Sequence, residues 1–400
     1  MAVMKRTSTT LLLSPLLATV LLASGCSTMN TPEPAAASSE IAKNAAAVLR
    51  SAPIELVWRN NLDQRQPASP PGFSLPAVIT TPEGDLIIAG AQDNRVRVYR
   101  DNGSEQQRIS IEAAGESGAL QLDNGLVVLG DVAGNLYGLD LKTFAIKWRY
   151  ALGSALIGRP VAVDHDFIIQ AANNQIYRFT ANGNKVWSFS GNLGGLGMHL
   201  TPSPAVYEDH VYAALSNGDV VAMRAGDGGF LWKRQMVLNN DAAVLSELKV
   251  PVASPVVIPA AQSGRDEDLL AVSLFQGELS FLSLQDGSQL RARHLSVKST
   301  PLLIGQRLFV ADTAGSVSAL DAGSGETRWK LQLSKGELTG PVLSQGMLWL
   351  ADDQGKVYRI DQEGHLSGQI ELSGRIDRAP VATSGGVLVR NNLGVLYMLR

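Results

Sequence analysis

The sequence predicts an all-β protein, an eight-bladed β-propeller, on three observations. A tight-turn residue followed by an alternating strand recurs along the 400-residue chain. A short apolar run precedes each turn, as expected of strands covered on both faces. The last unit lacks an outer strand after Gly394, and the segment Ile54 to Trp58 supplies one. A repeat period near 40 residues with about four short strands per unit is typical of a propeller.

Residues 1–25 have the pattern of a cleaved export signal. A short basic segment precedes an apolar run that is too short for a membrane-spanning helix, which needs roughly 20 apolar residues. The small residues just before Cys26 resemble a bacterial lipobox, and this resemblance implies lipidation (diacylglyceryl and palmitate chains) of Cys26. Ser27 in the next position implies, by the sorting rule of that family, the outer membrane of a Gram-negative cell. The alternative is a plain secretory signal with an unmodified thiol.

Residues 26–51 predict a flexible tether after the lipidated cysteine, and residues 52–400 form the predicted propeller. The tether is rich in Ala, Ser, Thr and Pro and contains no aromatic residue, so it has little to bury. The formal charge of −3 argues against a nucleic-acid partner. Cys26 is the single cysteine, which excludes an intrachain disulfide and a cysteine-based metal cage.

The turn residues recur at nearly constant intervals, apart from one longer unit. They are Asn94, Gly134, Asn174, Gly218, Gly277, Gly315, Gly355 and Gly394. The longer fifth unit contains Asn239 to Val250 and the polar stretch Ala261 to Asp268. Long insertions in propellers are often functional loops, and a solvated spacer is the alternative.

A tryptophan recurs eight residues after a strand end, with a turn residue midway. The triplets are Asp140, Phe144 and Trp148; Phe179, Gly183 and Trp187; Arg224, Gly228 and Trp232; and Asp321, Gly325 and Trp329. Trp58 would fill the same position in the eighth blade. This pattern resembles the PQQ-like repeat of quinoprotein dehydrogenases and of BamB, in which the tryptophan docks between adjacent blades. The alternative is that these tryptophans serve core packing alone and hold the blades together whatever the function.

Two classes of function share this repeat. Quinoprotein enzymes need a quinone, a Ca²⁺ site, a catalytic Asp and commonly an adjacent cysteine pair, which this chain lacks. Signal, tether and body together resemble the BamB family of outer-membrane lipoproteins over essentially the whole chain. The resemblance implies a non-catalytic scaffold without cofactor or metal. It would face the periplasm, bind the barrel-assembly subunit BamA and assist unfolded outer-membrane proteins. The alternatives are a propeller that scaffolds a different envelope complex and, less favoured, a PQQ-dependent dehydrogenase.

The candidate partner-binding residues are Leu193, Leu196, Met198 and His199, in the Gly-rich segment 191–200. Apolar residues in such an inter-blade loop have no obvious core to enter, and an exposed apolar patch often marks a binding surface. Packing beneath the loop is the alternative.

The family resemblance places two partner-contact loops on this chain. The first carries Leu residues and an Arg in the family and falls on Leu196, Met198 and His199. The second carries a pair of Asp residues and falls on Val250 and Val252. The apolar members are kept here, whereas the Arg and both carboxylates are missing.

Other chemical groups give weaker signals. The five histidines are scattered without the spacing of metal ligands. The segment 164–166 predicts a hairpin turn, 266–268 a solvated loop, and 352–355 a turn whose Asp caps backbone groups. Since no Ser-His-Asp grouping or phosphate-binding Gly loop is recognisable, the sequence predicts no catalytic residue.

Overall fold

A computed structural model of the chain describes residues 53–63, 75–192, 201–236 and 250–400. These ranges form eight antiparallel four-stranded sheets, which are the blades of a β-propeller. The predicted fold class is therefore confirmed. The blades are numbered here in chain order. The first strands and the segments that lead into them surround a central channel.

The strands follow one another from the channel outward in every blade. Blades 1 to 4 comprise β2 (Ala77–Thr81), β3 (Gly84–Gly90), β4 (Arg95–Arg100), β5 (Glu105–Ser110); β6 (Leu120–Gln121), β7 (Leu126–Gly130), β8 (Asn135–Asp140), β9 (Ile146–Ala151); β10 (Val161–Val163), β11 (Asp166–Gln170), β12 (Gln175–Phe179), β13 (Lys185–Ser190); and β14 (Ala205–Tyr207), β15 (His210–Ala214), β16 (Asp219–Arg224), β17 (Phe230–Gln235). Blades 5 to 7 comprise β18 (Val256–Ile258), β19 (Leu269–Ser273), β20 (Leu279–Ser283), β21 (Gln289–Arg293); β22 (Leu302–Ile304), β23 (Arg307–Ala311), β24 (Ser316–Asp321), β25 (Thr327–Gln332); and β26 (Leu338–Ser344), β27 (Met347–Asp352), β28 (Lys356–Ile360), β29 (Leu366–Glu371). Blade 8 comprises β30 (Val381–Thr383), β31 (Gly386–Arg390), β32 (Val395–Leu399) and, outermost, β1 (Leu56–Asn61).

The ring is closed by pairing the first strand of the body with the last. β1 runs antiparallel to β32, with Trp58 opposite Met398. Across the seam between blades 8 and 1, the Trp58 indole N–H donates to the carbonyl oxygen of Asp101 at 2.7 Å. The backbone N–H of Ser384 donates to a carboxylate oxygen of Asp85 at 2.8 Å. These contacts confirm that the N-terminal strand completes the eighth blade.

The buried apolar residues form eight clusters, each shared by two adjacent blades. The cluster between blades 8 and 1, for example, joins Leu388 and Leu396 to Ile87 and Tyr99. Each four-stranded sheet has two apolar faces, and both must be covered by neighbours. The stability of the body therefore depends on blade-to-blade packing, which explains the apolar runs seen in the sequence.

Five tryptophans dock onto the following blade in the same way. Each indole N–H donates to a backbone carbonyl oxygen of that blade at 2.7–3.1 Å. Each ring also lies over a left-handed glycine, where an added Cβ would come within 3.0 Å of ring atoms. The tryptophan and glycine pairs are Trp58 with Gly103, Trp148 with Gly183, Trp187 with Gly228, Trp232 with Gly287 and Trp329 with Gly364. This confirms the inter-blade docking that the repeat predicted.

Three blades replace the docking tryptophan, and blade 7 has Gly368 at that position. Blade 1 has Gln107 at that position, and the turn residue that the ring would cover in blade 2 is Phe144, with a positive φ of 55°. Blade 5 has Arg291, whose guanidinium lies 5.4 Å from the Phe281 ring centroid. Loss of the tryptophan in blade 1 therefore coincides with loss of the glycine in blade 2.

The turns between the second and third strands are held by buried side chains. The Asp352 carboxylate accepts the backbone N–H of Lys356 and the hydroxyl of Tyr358, both at 2.8 Å. Asp131 accepts the Tyr137 hydroxyl at 2.7 Å in the same arrangement in blade 2. Burial and this hydrogen bond raise the pKa of both tyrosines. The predicted capping role of the turn aspartate is confirmed.

The insertion in the fifth unit contains a short helix, α1 (Ala260–Ser263), between β18 and β19. Asp266 and Glu267 are exposed, as predicted for a solvated loop, whereas Asp268 accepts the backbone N–H of Ala260 at 2.7 Å. In the ranges that the structure covers, no helix has the length and apolar character needed to cross a membrane.

Candidate functional site

The predicted anchor and partner-binding residues lie outside the described residues. This applies to Cys26 and to Leu193, Leu196, Met198 and His199. Their roles stay predictions. The described residues on either side of 193–200 show where the chain enters and leaves that segment.

Both flanks of residues 193–200 are fixed to neighbouring blades. The side chain of Asn174 donates to the carbonyl oxygen of Asn192 at 2.7 Å and accepts the backbone N–H of Ser216 in blade 4 at 2.9 Å. On the other side, the backbone N–H of Ser203 donates to the hydroxyl of Ser254 at 2.9 Å. Because the strands alternate in direction, each outer strand ends, and the next inner strand begins, on the same face of the disc. We call this face the connecting face.

The two valines of the second expected contact loop are buried. Val250 is 7% exposed and Val252 is 6% exposed. The carbonyl oxygen of Val250 accepts the backbone N–H of Phe275 at 2.9 Å. The two side chains therefore do not form an exposed contact surface, and Val252 contributes to the lining of the central channel.

The central channel contains a cavity of 480 Å³ with contributions from all eight blades. Its lining comes mostly from the three residues that precede each inner strand and from the start of that strand. The wall is joined between blades by hydrogen bonds. Besides the bond between Ser203 and Ser254, the backbone N–H of Ser254 donates to the hydroxyl of Thr300 at 3.1 Å. The hydroxyl of Thr339 donates to the carbonyl oxygen of Arg378 at 3.2 Å.

Two cations of the channel have carboxylate neighbours. The ammonium of Lys298 lies 2.6 Å from a carboxylate oxygen of Glu337. Desolvation lowers the pKa of Arg378 to about 10, and nearby Glu116 and Asp377 oppose this effect. Each of these two positive charges therefore has at least one carboxylate nearby.

Arg159 of blade 3 is the exception. Its Nε donates to the carbonyl oxygen of Ala119 in blade 2 at 2.9 Å, and its stem lies against Gly118. No ion pair links Arg159 to a carboxylate within the described ranges. Desolvation lowers the pKa of its guanidinium, although the residue as a whole is exposed. A side chain inside a water-accessible channel combines exposure to solvent with desolvation by the surrounding walls.

Sequence reasoning missed Arg159, Lys298 and Arg378, although the repeat contains the signal. Each lies just before the proline of its unit. Arg159 is one residue before Pro160, Lys298 is three before Pro301 and Arg378 is two before Pro380. At Arg159's position the other blades carry Leu75, Gly118, Ser203, Ser254, Thr300, Gly340 and Ala379. Alignment of the units at that position would have shown a lone arginine among uncharged residues.

Two histidines in the described ranges each contact one carboxylate. The ring of His165, in the predicted hairpin turn, lies 3.0 Å from an exposed carboxylate oxygen of Asp123. His365 lies 2.8 Å from a carboxylate oxygen of Asp361. Over the part of the chain that the structure describes, no three His, Cys, Asp or Glu side chains are grouped as a metal site would require.

Comparison with known proteins supports the architecture. A family model described as outer membrane protein assembly factor BamB matches residues 55–331 and 313–399. Outer membrane protein assembly factor BamB of Yersinia pestis is 22% identical over 392 residues, which cover 95% of this chain and 96% of that protein. The crystal structure of BamB from Moraxella catarrhalis superposes with a TM-score of 0.71 and 18% identity, covering 87% of this chain and 99% of that one. A europium-containing methanol dehydrogenase has a TM-score of 0.64 and 13% identity, with 84% of each chain covered.

Proposed function

The chain belongs to the outer membrane protein assembly factor BamB family, and on that premise we propose that it assists the assembly of outer-membrane proteins as a non-catalytic scaffold. The observation that carries this proposal is the family match across all eight blades. We propose further that a lipid on Cys26 holds the protein at the outer membrane and that the body faces the periplasm. The tether of residues 26–51 would let the body move beside the membrane.

We propose a BamA-like barrel-assembly subunit as the partner, with unfolded outer-membrane proteins as further clients. The contact residues would be Leu193, Leu196, Met198 and His199, in a segment whose described flanks lie on the connecting face. Their support is twofold. The sequence gives this segment the apolar side chains of Leu193, Leu196 and Met198 among glycines. The hydrogen bonds of Asn174 fix its point of departure to blades 3 and 4.

The non-catalytic part of the proposal rests on the chain's own chemistry. The single cysteine excludes the adjacent pair that many quinoprotein dehydrogenases place beside their cofactor. Lys298 and Arg378 in the channel already have carboxylate neighbours. The likeness to a methanol dehydrogenase is one of fold and carries no activity.

A double variant tests the partner surface. Leu196→Asp with Met198→Asp should leave the body folded and abolish recovery of the BamA-like subunit when the tagged full-length protein is purified from membranes. The matched control is Phe230→Asp with Leu231→Asp, because these residues are 56% and 39% exposed on the outer strand β17. The control should retain the partner. Normal recovery with the first double variant would refute the assignment of residues 193–200.

A further inference from the structure

We propose that the central channel binds a small ligand that carries one carboxylate on an apolar body, and that Arg159 holds the carboxylate. The argument rests on the charge balance of the channel, on the geometry of this arginine and on the remaining lining. It does not depend on the partner proposed above.

The charge balance leaves one cation uncompensated. Lys298 is paired with Glu337, and Arg378 has Glu116 and Asp377 as neighbours. Asp377 also forms an ion pair, at 2.7 Å, with Arg375, which does not line the channel. Arg159 has no such counter-charge among the residues described. One uncompensated positive charge fits a ligand with a single negative charge.

The orientation of the Arg159 guanidinium also suits a carboxylate. Its Nε is fixed on the carbonyl oxygen of Ala119 at 2.9 Å, which orients the guanidinium plane. The two Nη groups make no hydrogen bond to the described residues and remain available as donors on one edge. A planar carboxylate accepts two parallel N–H bonds from such an edge, and these charge-assisted bonds are about twice as strong as neutral ones.

The rest of the lining suits an apolar body. Apolar side chains from several blades face the cavity, among them Leu75, Val78, Ile157, Val252 and Leu302. The volume of 480 Å³ falls in the range of small-ligand sites, about 300–1,000 Å³. A ligand with an anionic end and an apolar remainder would satisfy Arg159 and cover this surface. Either a short peptide with a free C-terminus or a fatty acid has this chemistry.

The test is calorimetric titration of the full-length protein with two matched pairs of probes. The first pair is N-acetyl-leucyl-valine as the free acid and as its C-terminal amide. The second pair is octanoate and octanamide. We expect at least one acid to bind at least ~10-fold more tightly than its amide, because charge-assisted bonds to Arg159 are lost in the amide. The peptide and the fatty acid identify the source of the carboxylate.

Two variants locate the effect. Arg159→Gln should lower affinity for the acid by at least ~10-fold, whereas Arg159→Lys should retain part of it because the charge remains. Arg234→Gln removes an exposed arginine from β17 and should leave binding unchanged. Equal binding of acid and amide, no binding of either acid, or full binding by Arg159→Gln would each overturn the proposal.

Discussion

The docking of each tryptophan onto a left-handed glycine makes a quantitative prediction for Gly228→Ala. Gly228 has φ of +72°, and a Cβ there would lie 2.8 Å from Cδ2 of Trp187. Holding a non-glycine residue in the left-handed region costs about 1–2 kcal/mol. Overpacking a close contact of this kind costs a further ~1–3 kcal/mol. We therefore expect the free energy of unfolding to fall by about 2–5 kcal/mol.

Gly125→Ala is the matched control for that experiment. Gly125 has φ of +82°, and an added Cβ would have no neighbour within 4 Å. Only the backbone cost remains, so the loss should be about 1–2 kcal/mol. Urea denaturation monitored by far-UV circular dichroism measures both variants. In a Trp187→Ala background, Gly228→Ala should cost no more than Gly125→Ala does. If the two glycine substitutions cost the same in the wild-type chain, the docking argument is refuted.

Three further substitutions test other parts of the ring. Asp63→Asn breaks the buried ion pair with Arg390, whose atoms lie 2.8 Å apart across the closure, and should cost about 3–5 kcal/mol in urea denaturation. No change in the midpoint would contradict the role of this pair. Asp352→Ala removes the turn cap and the acceptor of the Tyr358 hydroxyl, and should cost about 1–3 kcal/mol, measured in the same way. Trp329→Ala should cost about 2–3 kcal/mol, less than the 3–5 of a fully buried ring, because the indole is half-buried. A larger loss than for Trp187→Ala would contradict this order.

The blade count and the closure could be predicted from the sequence because every blade has the same packing and turn requirements. Every blade needs apolar strands for two neighbours and a left-handed turn residue, so the spacing of Gly134 or Gly355 reports the blade directly. Trp58 could be assigned to the eighth blade because four other units carry a tryptophan at the same position. Its docking over the left-handed Gly103 of blade 1 confirms the assignment.

The channel could not be read in the same way. Its lining combines residues far apart in the chain, and one residue such as Arg159 breaks the repeat without changing any periodicity. The burial of Val250 and Val252 likewise depends on tertiary packing around the fifth blade. A comparison of loop sequences carries no information on that packing. The helix α1 was missed because a four-residue segment is too short to show a helical period.

The central claim is that this propeller is a scaffold of outer-membrane protein assembly, and native purification tests it most directly. The full-length protein, tagged at its C-terminus, would be purified from membranes in mild detergent, and the co-eluting proteins identified by mass spectrometry. The account predicts recovery of a BamA-like barrel-assembly subunit. Recovery of a different envelope complex without that subunit would contradict it, and would mean that the fold persists while the partner has been exchanged.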